Sequence, residues 1–219
     1  MSSPLVSQRS TFGRKIKPTK KLTIVKKTIT LISAIAISIA GVAQNNYTLD
    51  KQHARLTFTA LHIGISHIDG IFKIFDATLV SSKEDLSDAE IEMNADANSL
   101  TTEVVPRDED LRDNFLETKK YPTIHFKSTS FIRTIGNNYK LKGLITIHGV
   151  TKPIVFDVVF NGKGQNPHTK RYSYGFTITG KLDRTDFNIG AEPILNGVGY
   201  EIDLKANVEF IISPVSLLP

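Results

Sequence analysis

Proton transfer and metal ligation near neutral pH fall first to histidine, and this chain has six: His53, His62, His67, His125, His148 and His168. Their spacing supports neither use. No pair falls in the His-Glu-x-x-His pattern that sets two imidazoles on one helical face with a base between them. His62 and His67 flank an expected turn and would offer at most a weak metal site. The acidic run Asp108, Glu109, Asp110 and Asp113 has the residue types of a paired acid and base. At an expected helix start, however, it reads better as a solvated N-terminus whose carboxylates complement the helix dipole. Arg107 and Arg112 are expected to pair with those carboxylates or to cap strand ends. No serine stands in a nucleophile-elbow context. Gly162-x-Gly164 falls between two expected strands rather than opening a helix, so it makes no phosphate cradle. The sequence has no cysteine, which removes thiolate chemistry and disulfides. No catalytic residue, metal ligand or cofactor is assigned, and the reading is a non-enzymatic protein.

The elements that would position any site announce themselves by period-two alternation, the mark of strands with one apolar face. From Tyr200 to Phe210, Tyr200, Ile202, Leu204, Ala206, Val208 and Phe210 alternate with charged or polar residues. The same pattern predicts inward faces at Leu56, Phe58, Ala60 and His62; at Ala89, Ile91, Met93 and Ala95; and at Tyr139, Leu141, Gly143, Ile145 and Ile147. Two more strands follow, with Ile154, Phe156, Val158 and Phe160, then Tyr172, Tyr174, Phe176 and Ile178, facing inward. Gly136-Asn137-Asn138, His148-Gly149 and Asn161-Gly162-Lys163-Gly164 are candidate hairpin connections. Strands at short spacing with no intervening helices predict an all-β antiparallel barrel or sandwich, which periodicity alone does not separate. The exception is Thr101 to Thr118. There Thr101 or Thr102 can cap a helix, Pro106 suits its first turn, and Leu111 and Phe115 form an i, i+4 apolar pair expected to cover a barrel opening or flank.

Residues 1–43 are of another kind. They hold eight basic residues, Arg9 to Lys27, and no acidic one, followed by an apolar run from Thr28 and small residues at Gly41 and Ala43. That order predicts a cleaved secretory signal peptide, hence a periplasmic or secreted protein. Removing those 8 positive charges from the chain's net +5 leaves −3, so the basic balance belongs to the leader and a nucleic-acid partner loses its support. The expected organisation is a leader at 1–43, one domain at 44–212 and a short tail at 213–219.

Three separated segments and a fourth carry a resemblance: His53 to Asp76, Arg107 to Ser130 (RDEDLRDNFLETKKYPTIHFKSTS), Leu141 to Val159, and Arg184-Thr185-Asp186-Phe187-Asn188-Ile189. In this order, from about Tyr47 to Phe210, the chain resembles the YceI-like family. The resemblance implies an eight-stranded antiparallel, lipocalin-like β-barrel with a short helix. It also implies an apolar tunnel for a polyisoprenoid lipid, an isoprenoid quinone or a similar amphiphile, bound as ligand rather than as cofactor. Combined with the alternation, it nominates Phe58, His62, Phe72, Met93, Phe126, Ile145, Phe156, Phe176, Ile178, Ile202 and Leu204 as lining residues. Asp183, Arg184 and Asp186 read as a polar network at a barrel end. Two alternatives stay open: His62 as a satisfied core histidine or a ligand contact, and the interior as a tunnel or a filled core in a structural or interaction protein. Inward Gly143, Ala60, Ala89 and Ala95 are expected to leave volume for a ligand. A carrier of this kind would meet a membrane or lipid donor transiently, and a homodimer is compatible with it.

Overall fold

The computed structural model describes Gly13, residues 44–190 and residues 197–212. The expected leader, Gly13 aside, and the tail at 213–219 lie outside the described residues. The chain divides into two compact units, Met1–Val42 and Ala43–Pro219. Every strand pairing and every core residue below lies in the second unit, so a chain beginning at Gln44 keeps the whole described fold. Among the described residues no helix is long and apolar enough to cross a membrane.

The strands are β1 (Asn45–Leu49), β2 (Arg55–His62), β3 (Ser66–Phe72), β4 (Phe75–Ser81), β5 (Glu90–Asp96), β6 (Leu100–Thr101), β7 (Thr123–Arg133), β8 (Asn138–Ile147), β9 (Val150–Gln165), β10 (Tyr172–Asp183) and β11 (Val198–Ile212). Hydrogen bonding runs β1-β4-β5-β7-β8-β9-β10-β11 and back to β1, a closed eight-stranded antiparallel barrel. The other three strands prolong this circuit. On one edge β11 pairs with β2 along Val198–Asn207 and with β1 along Phe210–Ile212, so β1 and β2 act as one bent stave, as do β3 with β4 and β5 with β6. The bends have a local cause. Asp50 accepts from Gln52 N at 3.0 Å and Asp96 from Asn98 N at 2.9 Å. In each case a carboxylate takes over an amide that would otherwise join the ladder.

The alternation places Tyr139, Leu141, Ile145 and Ile147 of β8, and Ile154, Phe156 and Val158 of β9, in the core. Tyr172 and Tyr200 have inward parity but lie exposed, at 45% and 65%, because each sits near a strand end. His148-Gly149 forms the expected β8–β9 turn, with φ of 51° and 73°. Asn161–Gly164 does not form one. β9 continues to Gln165, and the ladder shifts register opposite Gly175 and Phe176; Gly162, at φ 123°, thus serves as a bulge within a strand. The turn comes later, where Lys170 N donates to Asn166 O at 2.9 Å.

The two barrel ends are closed differently. At one, aromatic rings pack together: Tyr47 edge-on to Tyr174 (5.2 Å), Phe160 tilted against Phe176 (5.2 Å) and Phe131 stacked on Tyr139 (4.5 Å). At the other lies the helix α1 (Val105–Asp110), continued by a π-helical turn, Leu111–Phe115. Its start departs from expectation. Val104 occupies the N-cap without a side-chain bond. Asp108 instead reaches back to accept from Thr101 Oγ1 (2.6 Å), Thr102 N (2.6 Å) and Thr102 Oγ1 (2.5 Å). The carboxylate is therefore buried, not solvated as expected. Burial works against its charge, but the bonds from Thr101 and Thr102, with the Arg112 charge nearby, hold it below the usual carboxylate range. Arg112 Nη1 donates to Leu100 O at 2.9 Å, capping the end of β6 as expected of a strand-end arginine.

Candidate functional site

Between these ends the lumen holds a partly open cavity of about 190 Å³ with an almost wholly apolar wall. A single water needs about 10–15 Å³ and several polar partners, so this space is large enough for many waters yet offers them nothing to bond. Such a cavity favours an apolar occupant. The structure places Phe58, Phe72, Met93, Phe126, Ile145, Phe156, Ile178, Ile202 and Leu204 on its wall, each from the inward face of its strand.

Two nominated residues lie elsewhere. His62 has the inward parity of Leu56, Phe58 and Ala60, but it ends β2 and is exposed, so it is neither a core histidine nor a lumen contact. His62 pairs with Ser66 and Leu61 with His67, which puts His62 and His67 on opposite faces and removes them as a metal pair. Phe176 is buried but belongs to the aromatic closure, against Phe160 at 5.2 Å and Phe210 at 6.1 Å.

The expected free volume is also differently distributed. A Cβ at Gly143 would run into the Phe126 ring and into Lys127 O at 2.5 Å. Gly70 and Gly180 stand in the same relation to Phe58 and Phe156. Each glycine lets a lumen ring lie back against the barrel wall, the mutual fit of an aromatic ring and a strand glycine. Gly143 is thus occupied, and Ala89 and Ala95 are buried away from the cavity. The small residues that face open space are Ala60 and Ala206.

Several wall residues were not nominated. Leu100 opens the short β6 after a stave bend, Leu182 lies at the end of β10 with Arg184 and Ile189 just beyond it, and Leu111, Phe115 and Leu116 come from the helical segment; of these, the i, i+4 pair and the Arg184–Ile189 motif carried a sequence signal. Arg184 is 4% exposed. Its Nε donates to Gly199 O (3.1 Å), Nη1 to Ile189 O (2.7 Å) and Gly190 O (2.8 Å), and Nη2 to Val198 O (3.0 Å). The guanidinium thereby ties the segment at Ile189 and Gly190 to the start of β11 while its stem completes the apolar wall.

A metal finds little support at Asp50, His53 and Glu209, whose donor atoms lie within 4.8 Å of one another. Asp50 already bonds Gln52 N through Oδ1 and His53 Nδ1 through Oδ2, both at 3.0 Å, and this accounts for the approach.

The YceI-like domain model matches residues 47–210. The chain belongs to the YceI-like family. Protein YceI of Escherichia coli is 32% identical over 180 residues, covering 81% of this chain and 92% of the relative. The crystal structure of the Campylobacter jejuni YCEI protein matches at TM-score 0.62 and 27% identity, over 70% of this chain and 90% of that one. A polyisoprenoid binding domain from Saccharophagus degradans, implicated in plant cell wall breakdown, shares the fold at TM-score 0.58 and 14% identity, over 76% and 98%.

In this YceI-like barrel the segments that carry the resemblance meet at the helical end. Phe115 lies against Gly190, whose added Cβ would come within 2.8 Å of the ring. His148 joins three of the segments: Nδ1 faces Phe187 O at 3.1 Å, Nε2 faces Glu117 Oε2 at 2.5 Å, and the Tyr121 ring lies edge-on at 4.4 Å. Leu116, Ile147 and Ile189, each one or two residues from a partner in that contact, form the lumen wall there. The motif residues therefore build the helical end of the cavity.

Proposed function

We propose that the protein is a periplasmic or secreted carrier that sequesters a polyisoprenoid lipid, an isoprenoid quinone or a similar amphiphile, in the barrel lumen. The observation that carries this reading is the apolar cavity in the lumen between the aromatic and helical ends. An isoprenoid chain needs only a dry channel, since each buried methylene contributes on the order of 0.8 kcal/mol and no polar anchor is required. Arg184, whose stem lines the cavity, commits its guanidinium to backbone carbonyls, and the wall as a whole is almost wholly apolar, which favours binding over catalysis. The domain named for polyisoprenoid binding in Saccharophagus degradans has the same fold and supports the choice of ligand class. Native mass spectrometry of protein purified without detergent tests it. A bound mass that organic extraction releases as an isoprenoid is expected. A bare protein that also fails to take up added ubiquinone would sink the carrier reading in favour of a filled-core interaction protein.

A further inference from the structure

The β2–β3 hairpin turns through His62–Ile65, with Ile65 N donating to His62 O at 3.1 Å. Its two central residues have left-handed backbone, Ile63 at φ 43° and Gly64 at φ 76°. Such a turn favours asparagine, aspartate or glycine at the first central position, and a β-branched residue there is strained. The β8–β9 turn also places a non-glycine residue at that position, but His148 is held by Glu117 and Phe187. The Ile63 side chain lies beside Gly197 but stays 58% exposed, Ile65 is 80% exposed, and Leu61 on the same hairpin is 38% exposed. Folding gains little from these side chains and solubility loses by them. Strain retained without a folding benefit points to function.

The hairpin also stands at one end of the lumen. Ile63 N donates to Gly197 O, Val198 pairs with His62, and Val198, Ile202 and Ala60 line the cavity. Polar His62, Ser66 and His67 flank the tip. A projecting apolar tip with polar shoulders presents too little flat area for a stable protein interface but suits partial burial at the boundary of headgroups and acyl chains.

We propose that Ile63-Gly64-Ile65 is a membrane anchor that dips into a lipid bilayer surface and brings the lumen end at Val198 and Ile202 against it. Its use in loading or unloading rests on the carrier reading; the docking itself does not. The test is flotation of the 44–219 chain, free of ligand, with phosphatidylcholine vesicles in about 0.15 M salt, where attraction between exposed charges is largely screened. Wild type is expected to float. Ile63→Asn combined with Ile65→Ser should partition about 100-fold less, about tenfold for each isoleucine, or about 2.8 kcal/mol in all. Melting should not fall, because asparagine suits the turn, and ubiquinone uptake should persist. Wild type that stays in solution, or a variant that floats equally well, overturns the proposal. A dimer in sedimentation that the variant abolishes, without flotation, would assign the tip to a second copy instead. A protein that floats but never holds an isoprenoid defeats the carrier reading and leaves the anchor standing.

Discussion

Adding the same leucine at two inward positions should move stability in opposite directions. Ala206 faces open lumen, whereas Gly143 is covered by the Phe126 ring and by Lys127 O. Ala206→Leu adds three carbon groups to a dry apolar space. At about 0.8 kcal/mol each they contribute about 2.4 kcal/mol, less about 0.5–1 kcal/mol for the leucine rotamers. The net gain is about 1.5 kcal/mol, or about 3–6 °C in melting temperature for a domain of this size. Gly143→Leu must displace a ring and a backbone carbonyl. Overpacking costs about 1–3 kcal/mol, which exceeds the about 0.5–1 kcal/mol gained by replacing a strand glycine. Circular dichroism melts of the 44–219 chain give both signs, and native mass spectrometry reads lipid occupancy, which Ala206→Leu should lower without unfolding the barrel. If Ala206→Leu destabilises as much as Gly143→Leu and wild type never holds lipid, the lumen is a filled core and the cavity argument fails.

Phe115→Ala should cost about 3–5 kcal/mol, because the ring is 4% exposed and packs against Gly190 at the lumen end; a melting curve equal to wild type would mean the helical segment does not close the barrel. Arg184→Lys replaces five donors by three against four carbonyls, so at least one acceptor is stranded and about 1–3 kcal/mol should be lost in urea titration. Replacing His148 by asparagine keeps a residue that tolerates the 51° φ while removing the Glu117 and Phe187 contacts; unchanged thermal stability would show that they hold nothing. Burial, reinforced by Tyr174 beside it, pushes the Tyr47 phenol from 10.0 up to about 12. A raised folded value means stability is fully present below pH 10 and declines between pH 10 and 12, by about 2–3 kcal/mol. Tyr47→Phe should flatten that part of a stability-versus-pH curve, and an unaltered alkaline slope would contradict the assignment.

Much of the barrel was legible because strand alternation is a local property: each residue's face follows from its neighbours two places away. Hence most of the nominated wall residues sit on the lumen, and the helical interruption could be found from Pro106, Leu111 and Phe115. What alternation cannot report is how far along the barrel a residue lies. His62, Tyr172 and Tyr200 have the right parity and the wrong height, and Phe176 is inward but belongs to the aromatic end. Nor can composition distinguish a glycine that opens space from one that receives a ring, since Gly143 meets Phe126 only across the β7–β8 ladder. The Asn161–Gly164 error has the same origin: whether glycines break a strand or bulge it depends on the partner strand. Asp108 and Arg184 complete the contrast. Their residue types announce a charge, but only tertiary structure surrounds that charge with hydroxyls, amides or carbonyls, because those groups come from segments the local sequence pattern does not link. The sequence by itself determined six of the eleven strands, their faces and the family; three-dimensional packing decided how the remaining strands close the barrel and which inward positions border empty space.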